Sequence, residues 1–191
     1  MAGKKSVCFA MAGWLCLLLL AGCGKTAPTP APAPGGHGTV VIAFDFERQS
    51  GHASNQFAVW IEDMDGRMVK TLYATQFTAG GGYENRPDSL STWVGRALGV
   101  SDFDAVAGAT PKSGRQVYTW DLTGEDGVPV PWGAYKFFVE GTLRWKACVL
   151  YTGEIPVEGS YDFVVATPVF TCGDDAPERS MITNVTAEYF T

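Results

Sequence analysis

Large apolar residues alternate with smaller or polar ones in short segments after residue 38, and this period of two predicts β-strands. The first segment places four large side chains on one face: Val40, Ile42, Phe44 and Phe46. Segments 57–62 and 68–74 then flank Asp65-Gly66, a dipeptide typical of the turn in a β-hairpin. The acidic residues Glu62, Asp63 and Asp65 also suggest a calcium loop, but its closing glutamate is missing, so we favour the hairpin.

Apolar residues with helical spacing predict one short helix after Pro87. Asp88 would cap it, and the apolar stripe before Gly99 consists of Leu90, Trp93, Val94, Ala97 and Leu98. The preceding Gly80-Gly81-Gly82 lacks the spacing and the lysine of a phosphate-binding loop. We therefore expect these glycines to form a flexible connection.

Further short strands are predicted at 117–122, 136–145, 147–151, 161–167 and 181–189. Between Trp120 and Tyr135, turn residues around Asp126-Gly127 resemble a hairpin of immunoglobulin-like domains in bacterial surface and flagellar hook-cap proteins. Seven or eight strands with one short helix predict an all-β fold, an antiparallel immunoglobulin-like β-sandwich. We expect it to form a single domain over residues 39–191.

The N-terminal segment has the features of a lipoprotein signal peptide, residues 1–22. Lys4 and Lys5 precede an apolar run, 7–20, that is too short to span a bilayer comfortably. The run ends in Leu20-Ala21-Gly22-Cys23, which resembles the bacterial lipobox and predicts acylation of Cys23. The alternative, an uncleaved transmembrane anchor, fits the cysteine and the short run less well.

Residues 23–38 are rich in proline, alanine and glycine, and we expect a disordered, extended tether. The acylated Cys23 would hold the protein on membrane lipid. Gly24 follows it, whereas many lipoproteins retained at the inner membrane have aspartate there. The resemblance therefore favours the cell envelope at the outer membrane, facing the periplasm or the cell surface.

Charge and histidine content exclude several classes of function. Removing residues 1–22 takes away two lysines and no acidic residue, which lowers the formal charge from −6 to −8 and disfavours nucleic-acid binding. His52 is the only histidine after the tether, which disfavours catalytic triads, zinc-protease sites and c-type haem. We therefore expect no catalytic residues, no metal and no enzyme activity.

Two cysteines remain once Cys8 and Cys16 leave with the signal peptide and Cys23 is acylated. In an oxidising compartment Cys148 and Cys172 are expected to form a disulfide, and two unpaired buried thiols are the alternative. The chain has no Cys-x-x-Cys sequence, which disfavours a redox dithiol.

The segment Asp104-Ala105-Val106-Ala107-Gly108-Ala109-Thr110 nearly matches the signal at which bacterial flavin transferases attach FMN. Thr110 would supply the acceptor hydroxyl, and Gly108 and Ala109 would leave room for the transferase. Asp104 would position the loop or contact the transferase. The product would be a phosphoester between Thr110 and FMN. The alternative is a plain surface loop, rich in small residues because loops commonly are.

Several ordered segments resemble a bacterial periplasmic family catalogued as domain of unknown function two-two-seven-one. They are Val59-Trp60-Ile61-Glu62-Asp63, Asp65-Gly66, Val69-x-Thr71-Leu72, the 104–110 segment, Trp120-Asp121 and Val139-Glu140. The resemblance covers roughly residues 39–159. It implies a redox setting, because members lie near membrane proteins of PepSY type and flavin transferases. The family often has serine at the position of Ala107.

Together these features predict an exported, lipid-anchored electron-transfer protein that carries covalent FMN and is modified by a flavin transferase. A membrane redox protein of PepSY type would be its partner. The alternative function is a non-catalytic immunoglobulin-like binding or structural module without a cofactor. Trp93, Tyr118 and Trp120 could stack on the flavin ring, but aromatic residues of a sandwich more often belong to its core.

Overall fold

Two β-sheets form the body of the protein in a computed structural model, which describes residues 37–50, 54–144, 147–171 and 180–191. The ten strands are β1 Thr39–Phe46, β2 Gln56–Glu62, β3 Met68–Thr75, β4 Ala107–Gly108, β5 Gly114–Trp120, β6 Gly133–Arg144, β7 Ala147–Val157, β8 Asp162–Val165, β9 Thr167–Thr171 and β10 Ile182–Phe190. One sheet has the order β5-β1-β10-β8, and the other has the order β4-β3-β2-β6-β7-β9. This architecture confirms the predicted all-β fold class.

The strand pairs are antiparallel except for β3 and β4, which run parallel. The described residues all belong to one compact unit, Pro32–Thr191. None of the helices in the described part of the chain has the length and apolar character needed to span a membrane. The predicted signal peptide and nearly all of the predicted tether lie outside the described residues.

The main core lies between the two sheets and follows the alternation seen in the sequence. The four large side chains of β1 predicted to share a face are all buried: Val40, Ile42, Phe44 and Phe46. Opposite them, β2 contributes Phe57, Val59 and Ile61. The ring of Phe57 lies 5.3 Å from that of Phe44, edge to face. Burial of these apolar side chains is the main favourable term for holding the sheets together.

A second core covers the outer face of the six-stranded sheet. Every residue of β2 is buried, because its other face carries Ala58 and Trp60 against short helical segments. Trp60 stacks on Phe138 of β6 at 4.9 Å. The alternation in the sequence predicts one apolar face of β2, formed by Phe57, Val59 and Ile61, whereas the strand is buried on both faces.

The helical segments between β3 and β4 are Thr78–Gly82, α1 Tyr83–Asn85, α2 Ser91–Ala97 and α3 Phe103–Val106. The first is kinked, because Gly80 and Gly81, predicted to form a flexible connection, leave the helical conformation, with a φ of 94° at Gly81. The prediction that Asp88 caps the helix was wrong. Leu90 occupies the N-cap position with a left-handed φ of 49°, so α2 begins at Ser91. Leu98, predicted on the apolar stripe, is 59% exposed, because the helix ends at Ala97.

The hairpin predicted at Asp65-Gly66 is confirmed, since β2 and β3 pair on either side of it. Gly66 has a φ of 80°, and its N–H donates to the Asp63 carbonyl at 3.1 Å. Arg67 forms ion pairs with Asp63 and Asp65 at 3.4 and 2.9 Å. Glu62 is buried instead and accepts a hydrogen bond from the Trp60 indole at 2.8 Å. The acidic residues therefore have partners within the hairpin and the second core.

Two predicted elements differ from the observed structure because the chain passes from one sheet to the other within them. The segment from Trp120 to Tyr135 was predicted to be a hairpin, but β5 and β6 belong to different sheets. The predicted turn is nevertheless present as a short hairpin in the connection between them, where Thr123 and Pro129 form a bridge. The Val130 N–H donates to the Leu122 carbonyl at 2.8 Å, and the Gly124 N–H donates to the Val128 carbonyl at 2.9 Å. The predicted strand 161–167 is likewise divided at Ala166 into β8 and β9, which belong to opposite sheets.

Replacing Phe57 by alanine should lower the free energy of unfolding by about 3–5 kcal/mol, because the ring is fully buried between the sheets. Urea denaturation measures the change. Phe163, which is 48% exposed, is the control, and Phe163→Ala should change stability by less than about 0.5 kcal/mol. Equal losses for the two variants would contradict this assignment of the core.

Candidate functional site

The position of α2, which precedes the 104–110 segment, depends on a buried carboxylate of the sheet below. Glu140 of β6 is 1% exposed. It accepts hydrogen bonds from the backbone N–H groups of Thr92 and Trp93 at 3.1 and 2.7 Å. These first-turn N–H groups have no partner within the helix, so Glu140 takes the place of a local capping side chain. Leu90 offers no side-chain cap of its own.

Trp93 of α2 connects the helix to the start of α3. Its ring is fully buried and lies 4.6 Å from the ring of Phe103. Its indole N–H donates to Thr71 Oγ1 at 3.2 Å. The first residue of α3 is therefore packed on the second core, and the segment that follows starts from a defined position.

The turn of α3 is capped by Asp102, the residue before it. The Asp102 carboxylate accepts hydrogen bonds from the backbone N–H groups of Asp104 and Ala105 at 3.1 and 3.4 Å. Asp104 is exposed, and its carboxylate makes no hydrogen bond to another described residue. Of the two aspartates, Asp102 supports the fold and Asp104 is available to solvent.

Ala107 and Gly108 form the short strand β4 at the edge of the six-stranded sheet. They pair in parallel with Ala74 and Thr75 of β3. Ala107 also packs against the second core. Part of the 104–110 segment therefore forms the edge of a sheet, which the alternative interpretation as a plain surface loop did not predict.

Gly108 lies against the ring of Tyr73. A Cβ atom at position 108 would be 2.2 Å from Tyr73 Cε2, so no larger residue fits without movement. The Tyr73 hydroxyl donates a hydrogen bond to the Ala109 carbonyl at 2.7 Å. Burial raises the pKa of Tyr73 to about 12, so the hydroxyl remains a donor even in alkaline solution. Sequence reasoning did not identify Tyr73, because it lies 35 positions before Gly108.

Thr110 lies in the connection from β4 to β5, between the edges of the two sheets. It is partly exposed, and Ala109 beside it is exposed. Ser113, the other hydroxyl residue of this connection, accepts a hydrogen bond from the Arg48 backbone N–H at 2.9 Å. The structure thus brings Gly108, Ala109 and Thr110 together at one edge, with Asp104 on the preceding helical turn.

Of the three aromatic residues considered for stacking on a flavin, Trp93 and Trp120 are fully buried core residues. Tyr118 of β5 is partly buried, and its ring lies 5.0 Å from that of Tyr73. Burial, with a smaller contribution from Tyr73, raises the pKa of Tyr118. An aromatic pair therefore bridges the two sheet edges next to the Ala109 carbonyl.

Of the three cysteines predicted to be acylated or disulfide-bonded, only Cys148 lies within the described residues. Cys148 of β7 lies opposite Thr171 in β9, and the two side chains contact each other through Sγ and Oγ1 at 2.5 Å. Cys172 lies outside the described residues, as does Cys23. The predicted disulfide and the predicted acylation remain predictions.

The sequence profile of a family described as "Predicted periplasmic protein (DUF2271)" matches residues 39–167, more than half of the chain. The protein belongs to this family. It is therefore a member of a predicted periplasmic family of unknown function, which confirms the resemblance noted above and agrees with a place in the cell envelope. No curated protein and no solved structure matches the chain.

The DUF2271 match includes the candidate site but ends before the last strand. Residues 39–167 contain β1 to β8 and all of the 104–110 segment. In the fold, β10 lies between β1 and β8 in the four-stranded sheet. The sheet that receives β5 therefore depends on a strand beyond the matched region.

The buried carboxyl of Glu140 should make stability depend on pH. Burial raises its pKa above the ordinary value, and hydrogen bonds from Trp93 and Thr92 oppose the rise. Native Glu140 then holds its proton more tightly than unfolded Glu140, so its contribution to stability is lost as pH rises through the raised native pKa.

Glu140→Gln removes this titration. We expect the free energy of unfolding of the natural protein, measured relative to the variant, to fall as pH rises from about 4. Urea denaturation of both proteins between about pH 4 and about pH 8 tests it. A difference that stays constant with pH would show that the native pKa of Glu140 is not raised.

Asp102→Ala should lower the free energy of unfolding by about 1 kcal/mol, because α3 loses its N-cap. Asp104→Ala is the matched control, with an expected change below about 0.5 kcal/mol. Urea denaturation compares the two. If Asp104→Ala were the more destabilising variant, the assignment of Asp102 as the structural aspartate would be wrong.

Proposed function

We propose that this protein is an exported, lipid-anchored electron carrier with FMN attached covalently to Thr110. The observation that supports it most directly is the position of Thr110, which is partly exposed between the two sheet edges and follows the exposed Ala109. A second enzyme can approach an acceptor in this position. The hydroxyl of Ser113 already has a partner in the Arg48 N–H, which makes Thr110 the better acceptor.

The attachment chemistry is a phosphoryl substitution that needs an activated flavin nucleotide, such as a flavin dinucleotide. Thr110 Oγ1 forms a bond to the FMN phosphorus, and the phosphoanhydride bond to the other nucleotide breaks. The displaced nucleoside monophosphate leaves with the bonding electron pair, and a base of the transferase takes the hydroxyl proton. This chain supplies the acceptor and its position, and the transferase supplies the catalysis.

The charges near Thr110 suit the product. A phosphoester linkage carries a negative charge, and the protein is acidic overall, with a formal charge of −6 for the full chain. Lys112 and Arg48 are exposed, with Lys112 two residues after Thr110 and Arg48 bound through its backbone to Ser113. Either side chain would reduce the repulsion that an added phosphate meets when its charge approaches the linkage.

The envelope location gives covalent attachment a purpose. Outside the cytoplasm a dissociated flavin would diffuse away, whereas a linked flavin keeps a high local concentration near its partner. Acylated Cys23 at the outer membrane and the tether of residues 24–38 would hold the domain near the membrane surface. A membrane redox protein of PepSY type would then exchange electrons with the flavin, whose ring performs the redox chemistry.

A second candidate function is a binding module without a cofactor. Four apolar side chains near one edge of the four-stranded sheet are exposed, each by 44% or more: Tyr161, Phe163, Val165 and Phe190. Exposed apolar patches of this kind often mark interaction sites. If FMN attachment fails, this surface is the best remaining indication of what the domain does.

Co-expression with a flavin transferase tests the proposal. The exported protein should gain the mass of one FMN and keep its flavin fluorescence after denaturation. Thr110→Ala should abolish both signals, whereas Ser113→Ala should keep them. Ala107→Ser, which restores the residue common in the family, should increase the modified fraction.

The controls separate attachment from folding. Urea denaturation of Thr110→Ala should match that of the natural protein within about 0.5 kcal/mol, since the side chain is partly exposed. If the natural chain and Ala107→Ser both remain unmodified beside a transferase that modifies a known acceptor, the proposed function is wrong. Modification that persists in Thr110→Ala would assign another acceptor.

A further inference from the structure

The glycine at position 108 is required by space and not by backbone conformation. The φ angle of Gly108 is not positive, so any residue could adopt its backbone conformation. A Cβ atom there would instead lie 2.2, 2.9 and 3.0 Å from Cε2, Cζ and Oη of Tyr73. These separations are well below van der Waals contact, so either the ring or the strand would have to move.

The Tyr73 ring is held in place from other directions. Phe57 of β2 stacks on it at 5.1 Å, and Tyr118 of β5 lies at 5.0 Å. Phe57 is fully buried and contacts Phe44 and Phe46 in the main core. The two-residue strand β4 has few contacts to lose by comparison. A side chain at position 108 would therefore displace β4 rather than Tyr73.

The hydroxyl of Tyr73 adds a second constraint on the same segment. It donates to the Ala109 carbonyl at 2.7 Å, one residue before Thr110. The ring thus contacts Gly108, and the hydroxyl binds the next peptide group. Together they determine where the chain leaves the sheet edge on its way to Thr110.

We infer that Tyr73 is a positioning residue for flavin attachment, which presents Thr110 to the transferase by holding Gly108 and the Ala109 carbonyl. The inference rests on the proposed function. It assigns the glycine of the attachment segment to the fold of this protein, whereas the alternative assigns it to a steric demand of the transferase. The two explanations predict different effects of Gly108→Ala on attachment once the Tyr73 ring has been removed.

A double-mutant cycle with Tyr73→Leu and Gly108→Ala distinguishes them. The leucine removes the aromatic atoms that a Cβ at position 108 would meet. With Tyr73 present, Gly108→Ala should slow attachment about tenfold or more. With leucine at position 73, the same change should slow it less than about threefold, because coupled neighbours are non-additive. The measurement is the initial rate of FMN attachment to the purified full chain by a transferase with a flavin dinucleotide.

Tyr73→Phe tests the hydroxyl separately. It keeps the ring and loses the bond to Ala109, so attachment should slow severalfold, and the sensitivity to Gly108→Ala should remain. In the unmodified protein, backbone amides of the connection 109–113 should exchange hydrogen faster than in the natural chain. Tyr118→Phe is the matched control, since the Tyr118 hydroxyl makes no hydrogen bond to the described part of this connection. Its attachment rate and amide exchange should not change.

Equal slowing by Gly108→Ala in both backgrounds would overturn the inference and assign the glycine to the transferase. Unchanged attachment and exchange in Tyr73→Phe would overturn the role of the hydroxyl. If Tyr73→Leu does not fold by urea denaturation, amide exchange of unmodified Gly108→Ala decides: faster exchange in the connection 109–113 than in the natural chain would show that the fold requires the glycine, and unchanged exchange would overturn the inference. A natural chain that takes no FMN overturns the proposed function and the positioning role together, while exchange still shows whether Tyr73 holds the connection.

Discussion

The outer face of the six-stranded sheet must be covered, and this constraint determines where the candidate site lies. Trp60 and Ala58 project from β2 on the face opposite the sandwich core, and both are fully buried. Without a cover, Trp60 would expose a large apolar surface to water. The segment between β3 and β5 supplies the cover through Trp93 of α2 and Phe103 of α3. Because α3 packs there, the chain reaches the sheet edge as β4, and the next residues cross to the other sheet.

This cover requires polar groups to be buried with it, and the sheet provides their partners. Glu140 of β6 accepts the first N–H groups of α2, and Thr142 of the same strand accepts the N–H of Leu90 at 2.9 Å. An unpaired N–H in this apolar layer would cost about 1–3 kcal/mol. Burial makes the charged form of Glu140 itself unfavourable, as its raised pKa indicates. The position of α2 is thus a balance between capping and the burial of charge.

Local patterns predicted the parts of the fold in which neighbours in sequence determine the structure. The alternation of β1 and the Asp65-Gly66 turn were correct for this reason. The divided strand at Ala166 and the start of α2 at Ser91 depend on which sheet or core the chain meets next, which no local pattern records. The candidate site shows the same limit. Its Thr110 and Gly108 were found from the 104–110 segment, whereas Tyr73 belongs to another strand and is recognisable only once β3 and β4 pair.

Some small residues of the 104–110 segment are explained by packing, so their presence is not by itself a sign of flavin attachment. Ala107 pairs with Ala74 and packs on the second core, and Gly108 makes room for a tyrosine ring. The fold therefore restricts the size of residue 108 and gives Ala107 a packing role, whether or not an enzyme ever contacts them. Ala109 and Thr110 are different, because Ala109 is exposed and the partly exposed Thr110 makes no side-chain hydrogen bond to a described residue. Packing explains neither the exposed Asp104 nor the pair Ala109 and Thr110, so these are the residues of the segment that the proposed attachment alone would explain.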